Sequence, residues 1–249
     1  MEYIWNERTS STDLSSIESP KQRPHSLALV VNAVRTASNL LTRSYLKLWH
    51  GLEIVGRENL PERGSFVMIA NHTSHLDTLC LLAALPLGKV HRVHPAAAAD
   101  YFFATPSVSL ASTVLLNALP FDRQDDSQGS LDRCRTLLVQ GDSGLIFFPE
   151  GTRSTDGRTQ RFRSGIARLV AGTDVPVVPC YLDGCAAAFP KGARLPRPRK
   201  LRLILGPPRR FPASARSPEA MASICRELSE AVARLPSQAL RADRHPNGT

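Results

Sequence analysis

The chain has little of several things that would narrow its function quickly. It holds five cysteines in 249 residues, Cys80, Cys134, Cys180, Cys185 and Cys225. The number is odd and no Cys-x-x-Cys pair occurs. That argues against a disulfide framework or a structural zinc site and fits a reducing, cytosolic compartment. No uninterrupted apolar run reaches the roughly 18 residues that a membrane span needs, so any membrane contact is expected from one side only. The opening MEYIWNERTSSTDLSS lacks a basic start followed by an apolar core, and no secretory signal is expected. No HExxH pattern, no Gly-x-Ser-x-Gly elbow and no internal repeat is legible.

What is present describes one well-buried domain with extensions: 42% of residues are hydrophobic and 21% charged. The formal net charge is +9. It suits an anionic partner (a nucleic acid, a membrane surface or a phosphorylated substrate), or simply a basic, soluble protein. Between Asp183 and Glu219 there is no acidic residue, while basic side chains run from Lys191 to Arg216 through RLPRPRK and GPPRRFP. The prolines argue against a continuous helix. Near an anionic leaflet each such residue contributes on the order of 1 kcal/mol. No interleaved aromatic platform accompanies the charge, so no nucleic-acid partner is expected.

Residues 1–24 are polar and rich in Ser and Thr and read as a mobile tail. Residues 25–51 place Leu40, Leu41, Tyr45, Leu48 and Trp49 at helical spacing, with Arg35, Arg43 and Lys47 between them. This predicts an amphipathic helix or helix pair that either lies in a membrane interface or covers the protein's own core. From residue 52 to 237 short apolar runs alternate with helical stretches. SFVMIA, GLIFFPEG, VPVVPCYLD and KLRLILG read as strands; LDTLCLLAAL, SLDRCRTLLVQ and SGIARLVAGT read as helices. The alternation predicts an α/β domain with a largely parallel central sheet flanked by helices, and such sheets collect their sites at the carboxyl ends of the strands. The last helix is predicted over SPEAMASICRELSEAVARLPS, capped by Ser217, with Met221, Ile224, Leu228, Val232 and Leu235 as a core-facing stripe. Residues 238–249 read as a polar tail.

Two polar stretches follow predicted strands. In NHTSHLD, at Asn71–Asp77, two histidines lie near a carboxylate. Metal ligation fits poorly, because the spacing matches no common ligand pattern and VHRVHP, with His91 and His94, has no carboxylate nearby. Two readings remain. Asp77, in the first turn of the next helix, reaches back to orient His72 as a base; or Asp77 only caps the helix and His72 is a surface residue. The second stretch, FPEGTRS, carries Glu150, Gly151 and Arg153, and Arg161, Arg163 and Arg168 follow. Arg123 stands after a separate apolar run in LPFDR. Several arginines at strand ends suit an anionic, phosphate-bearing ligand.

In order, NHTSHLD, LPFDR, FPEGTRS and VPVVPC resemble the four sequence blocks of the glycerophospholipid acyltransferase family, which includes the lysophosphatidate acyltransferases. The third block matches without a change, and the likeness covers roughly residues 52–210. The resemblance implies transfer of a fatty acyl group from an acyl thioester, acyl-CoA or acyl carrier protein, to the free hydroxyl of a lysophospholipid, with 1-acylglycerol-3-phosphate as the default. In that family His72 is the general base, Asp77 orients it, and no acyl-enzyme or cofactor is used. Arg123, Glu150, Gly151 and Arg153 fall at positions linked to the acceptor's glycerol phosphate; Pro179 is linked more loosely to the donor or to packing. FRSG at Arg163 departs from the family's Phe-Lys-x-Gly. The expectation is a peripheral enzyme on the inner, cytoplasmic face of a membrane with an anionic surface as partner. The alternatives are another acceptor, such as a lyso-aminolipid, acyl exchange between phospholipids, or a non-catalytic lipid-binding protein on the same fold.

Overall fold

The structure is a computed structural model and describes residues 25–98, 112–122, 127–154, 159–190, 192–213 and 217–244. The expected tail at 1–24 and Arg123 lie outside these residues.

Five consecutive residues of strand β2, Phe66–Ala70, are fully buried. Side chains alternate across a strand, so a continuous apolar run needs apolar layers on both faces, as parallel sheets have. Phe66, Met68 and Ala70 enter one core with Leu46, Leu81, Leu85, Ile146 and Val178. Val67 and Ile69 enter the other with Leu145, Phe147, Ile166, Leu169, Leu228 and Val232.

Among the described residues the sheet around β2 has eight strands. β1 is Glu53–Val55, β3 Val93–Ala98, β4 Leu119–Phe121, β5 Gly144–Phe147, β6 Thr173–Asp183, β7 Arg202–Leu205 and β8 Arg209–Phe211. The order is β1-β7-β6-β2-β5-β3-β4, with β8 also on β6. All pairings are parallel except β6 with β7 and β6 with β8, so the largely parallel sheet expected from the alternation is what forms. β6 holds two prolines near the middle of the sheet, where a missing N–H normally breaks a ladder. Pro179 is accommodated because β6 changes partner there: its pairing with β8 ends at Val177 and that with β7 begins at Cys180.

The helices are α1 His25–His50, α2 Leu76–Ala84, α3 Ser127–Val139, α4 Gly165–Val170, α5 Cys185–Ala188 and α6 Pro218–Arg244. α1 is one helix rather than a pair. The predicted stripe of α6 holds: Ile224, Leu228, Val232 and Leu235 are buried and Met221 packs against them. α6 runs past Pro236 to Arg244, beyond the residue at which the domain was expected to end; Leu235 and Ala239 close on Ile204 and hold the continuation in place.

The orientation of α1 is inverted with respect to water. Several of its polar side chains are turned inward, although Ser44 and Lys47 are exposed. Arg35 donates to the carbonyls of Val114 (Nε, 2.9 Å) and Thr113 (Nη2, 2.8 Å), Asn39 to that of Leu82 at 3.2 Å, and Arg43 to that of Leu85. Its apolar side chains point outward: Leu27, Val30, Val34, Leu41 and Leu48 form an exposed row, with Leu41 72% and Leu48 86% accessible. Leu46 alone among its leucines is fully buried. The possibility that this segment serves mainly to cover the core therefore fails for Leu40, Leu41, Leu48 and Trp49, all of which are exposed. Among the described residues, no helix is long and apolar enough to cross a membrane.

Candidate active site

Two adjacent parallel strands carry the two polar stretches. β2 ends at Ala70 and NHTSHLD follows; β5, its neighbour, ends at Phe147 and FPEGTRS follows. Both loops therefore leave the same carboxyl edge of the sheet, where α/β folds build their sites.

Asn71 clips the first loop to β6. Its amide donates to the Leu182 carbonyl at 3.0 Å and its carbonyl accepts from the Leu182 N–H at 2.8 Å. His72 comes next, and its side chain is 19% exposed. Its Nδ1 lies 2.9 Å from Oδ2 of Asp77, which is fully buried in the first turn of α2. The same oxygen accepts the backbone N–H groups of Thr73 at 2.6 Å and Ser74 at 2.8 Å. An oxygen receiving two amide protons is an acceptor, so Nδ1 carries the proton in this contact. Nε2 is left as the basic nitrogen of the neutral ring. One carboxylate oxygen thus ties the His72 ring to the two amides of the loop that leads into α2; it makes no cap bond to the helix itself.

The FPEGTRS loop closes on His72 from the other side. Phe148 stacks on the imidazole, with ring centroids 4.0 Å apart and planes 17° from parallel. Glu150, buried, accepts the backbone N–H of His72 through Oε1 at 3.1 Å. The Ser154 N–H donates to the His72 carbonyl at 2.8 Å. His72 is therefore held at its ring, its amide and its carbonyl, and none of these three partners follows from the NHTSHLD spacing. The second F of FFPEG was the available signal for Phe148.

Gly151 has φ of +74°, and a Cβ there would stand 2.9 Å from Nε of Arg163. The loop therefore requires glycine for its turn and for the close passage of Arg163. The backbone N–H of Arg163 in turn donates to the Pro149 carbonyl at 2.9 Å. Arg153 is half-buried, and its charge reaches the site: with burial as the larger cause, Arg153 and then His72 hold the His75 imidazole below its ordinary pKa. His72, Asp77, Glu150, Gly151 and Arg153 are thus brought together around one edge. His75 precedes α2 beside the Phe189 ring. Pro179 accepts the Gly206 N–H at 2.8 Å, a packing contact of β6. Cys180 is fully buried, and burial pushes its thiol pKa up.

Residues 51–183 match the family model described as Acyltransferase. The chain is similar to the 1-acyl-sn-glycerol-3-phosphate acyltransferase BAT2, chloroplastic, of Brassica napus, at 35% identity over 158 residues, covering 59% of this chain and 44% of that protein. It is similar to LPAT1, chloroplastic, of Arabidopsis thaliana, also named a 1-acyl-sn-glycerol-3-phosphate acyltransferase, at 35% identity, covering 59% of this chain and 42% of the relative. The match thus spans less than half the length of these plant relatives. Among solved structures it resembles the 1-acyl-sn-glycerophosphate (LPA) acyltransferase PlsC from Thermotoga maritima, with a TM-score of 0.62 and 24% identity over 84% of this chain and 81% of that one. At that identity the likeness is one of fold.

Proposed function

The chain belongs to the acyltransferase family, and on that premise we propose that it moves a fatty acyl group from an acyl thioester, acyl-CoA or acyl carrier protein, to the free hydroxyl of a lysophospholipid, with 1-acylglycerol-3-phosphate as acceptor. The observation that carries this reading is the His72–Asp77 pair, with Nδ1 tied to a buried carboxylate at 2.9 Å and the ring partly open to solvent.

In the proposed reaction Nε2 of His72 takes the proton of the acceptor hydroxyl as its oxygen attacks the thioester carbonyl. Asp77 stabilises the imidazolium that forms. The tetrahedral centre collapses, the carbon–sulfur bond breaks, and the thiolate leaves with the proton held by His72. The products are an ester and a free thiol, with no acyl-enzyme and no cofactor. Glu150 acts through His72 by holding its amide in place. Arg153, and Arg123 by its position in LPFDR, bind the acceptor phosphate.

A lysophospholipid sits in a bilayer, so the enzyme must work at one. The outward apolar row of α1 supports lipid contact from one side. The basic segment around Arg194, Arg197, Arg199 and Lys200 supports attraction to an anionic surface. This reading places the protein on the inner, cytoplasmic face of a membrane, held peripherally.

The test is an assay with labelled acyl-CoA and acyl carrier protein against a panel of lysophospholipids. Wild type should acylate 1-acylglycerol-3-phosphate, and His72→Ala should lower kcat by about a thousandfold or more while the protein stays folded. Normal transfer by His72→Ala would overturn the mechanism. Failure of wild type to acylate any acceptor would favour a lipid-binding protein on the same fold.

A further inference from the structure

Beside the site, a groove of about 740 Å³ runs between α4 and the first half of α6. Met221, Ala222 and Pro218 give it apolar surface over the buried Phe162; Arg161, Arg168 and Arg226, all exposed, give it charge. Among the described residues none of these three guanidinium groups forms an ion pair. The acidic side chain in the lining, Glu230, is engaged by Arg234 at 2.6 Å. Burial raises the thiol pKa of Cys225, also in the lining; a hydrogen bond with the Ala167 backbone and then the charge of Arg161 lower it. Three cations without an ion-pair partner therefore line a concave, partly apolar space.

The groove also adjoins the reacting loop. Its segment at 161–164 includes Arg163, whose N–H donates to Pro149 and whose carbonyl accepts the Cys225 thiol at 3.5 Å. Pro149 directly precedes Glu150. A ligand in the groove therefore lies one loop away from His72.

We propose that this groove takes the nucleotide-phosphate end of a coenzyme A thioester, with the base against Met221, Ala222 and Pro218 and the phosphates on Arg161, Arg168 and Arg226. The inference rests on the acyl-transfer reading and chooses between its two donors. The volume falls within the range of small-molecule sites, about 300–1,000 Å³. Guanidinium forks match phosphate oxygens, and apolar surface takes a base. An acidic carrier protein would instead meet a flat or convex basic face.

The experiment is calorimetry of CoA, 3′-dephospho-CoA and 4′-phosphopantetheine against the full chain and the triple variant Arg161→Ala/Arg168→Ala/Arg226→Ala, with Arg226→Glu alone as the milder change. We expect CoA to bind most tightly and phosphopantetheine least. The triple variant should lose tenfold or more in CoA affinity with an unchanged melting temperature, and Arg226→Glu should lose severalfold. The kcat/KM preference for acyl-CoA over acyl-phosphopantetheine should fall in parallel. Equal CoA binding by wild type and variants overturns the assignment, as does CoA binding no tighter than that of phosphopantetheine. Transfer from acyl carrier protein that the triple variant loses, with no CoA binding by wild type, also overturns it, in favour of a protein donor. CoA binding lost in the variants, with no acylation of any acceptor by wild type, upholds the groove and sinks the acyl-transfer reading instead.

Discussion

Asn71 and Leu182 exchange two hydrogen bonds, at 3.0 and 2.8 Å, that join the end of β2 to the end of β6 immediately before His72. All four polar groups are in buried residues. Replacing the amide by Leu leaves the Leu182 N–H and carbonyl without partners, at about 1–3 kcal/mol each. Asn71→Leu is therefore expected to lower unfolding stability by about 2–4 kcal/mol in urea titration. Asn71→Asp keeps an acceptor but sets a carboxylate against the Leu182 carbonyl, and should be no better. Because the clip precedes His72 by one residue, kcat should fall more than the acceptor KM changes.

Gly151 carries a prediction about the second loop. Alanine at φ +74° adds left-handed strain of about 1–2 kcal/mol, and its Cβ meets Nε of Arg163 at 2.9 Å. Gly151→Ala should lower the melting temperature by a few degrees and weaken acceptor binding. Arg163→Ala in the Gly151→Ala background should recover part of the lost stability, because the obstructing side chain is gone; a double variant no more stable than the single would count against the crowding.

The outward row of α1 predicts a separation of binding from folding. Leu41→Asp with Leu48→Asp puts two charges where the chain now exposes leucine. Since neither side chain packs on the core, the melting temperature should stay within about 2 °C of wild type, as surface substitutions usually do. Co-sedimentation with anionic lipid vesicles should drop at least tenfold. Unchanged sedimentation would remove α1 from the membrane contact.

His94, in β3, predicts an acid-sensitive stability. Burial draws its pKa down to about 4; a hydrogen bond with the Asn117 backbone opposes this in part, and the charge of Arg35 adds a smaller downward push. In the unfolded chain the value is about 6.5. Between these two values the unfolded state binds more protons, so stability is fully present above pH 6.5 and is lost as pH falls toward 4. At pH 5 the loss is about 2 kcal/mol. Urea titrations at pH 7.5 and pH 5.0 should show it in wild type, and His94→Leu should show a smaller pH difference.

Much of the architecture was legible because it rests on local signals. SFVMIA and VPVVPC are apolar on both sides of the pleat, which only a two-faced parallel sheet buries, and the stripe of α6 has one helical period. β1 and β8 have three residues each and no period to read, and β3 runs through VHPAAA, where a proline obscures the strand. The periodicity of α1 showed two faces; which one turned inward depended on carbonyls of Thr113, Val114, Leu82 and Leu85, distant in the chain. At the site, the five-residue spacing allowed a His72–Asp77 contact without choosing it over a surface histidine; the family resemblance made that choice. Phe148, Glu150 and Ser154 reach His72 only because β5 lies beside β2, a pairing no local pattern encodes.

The central place of β2 has a further consequence for the time scale on which this edge of the sheet opens. Its amides lie between two parallel neighbours and beneath helices on both faces, so no partial fraying uncovers them. Their exchange with deuterium must wait for global unfolding. The imidazole at the strand's end is thus carried by the slowest-opening part of the molecule. Substrate must come to a preset geometry, and any motion needed for its entry falls to the loops and to α1.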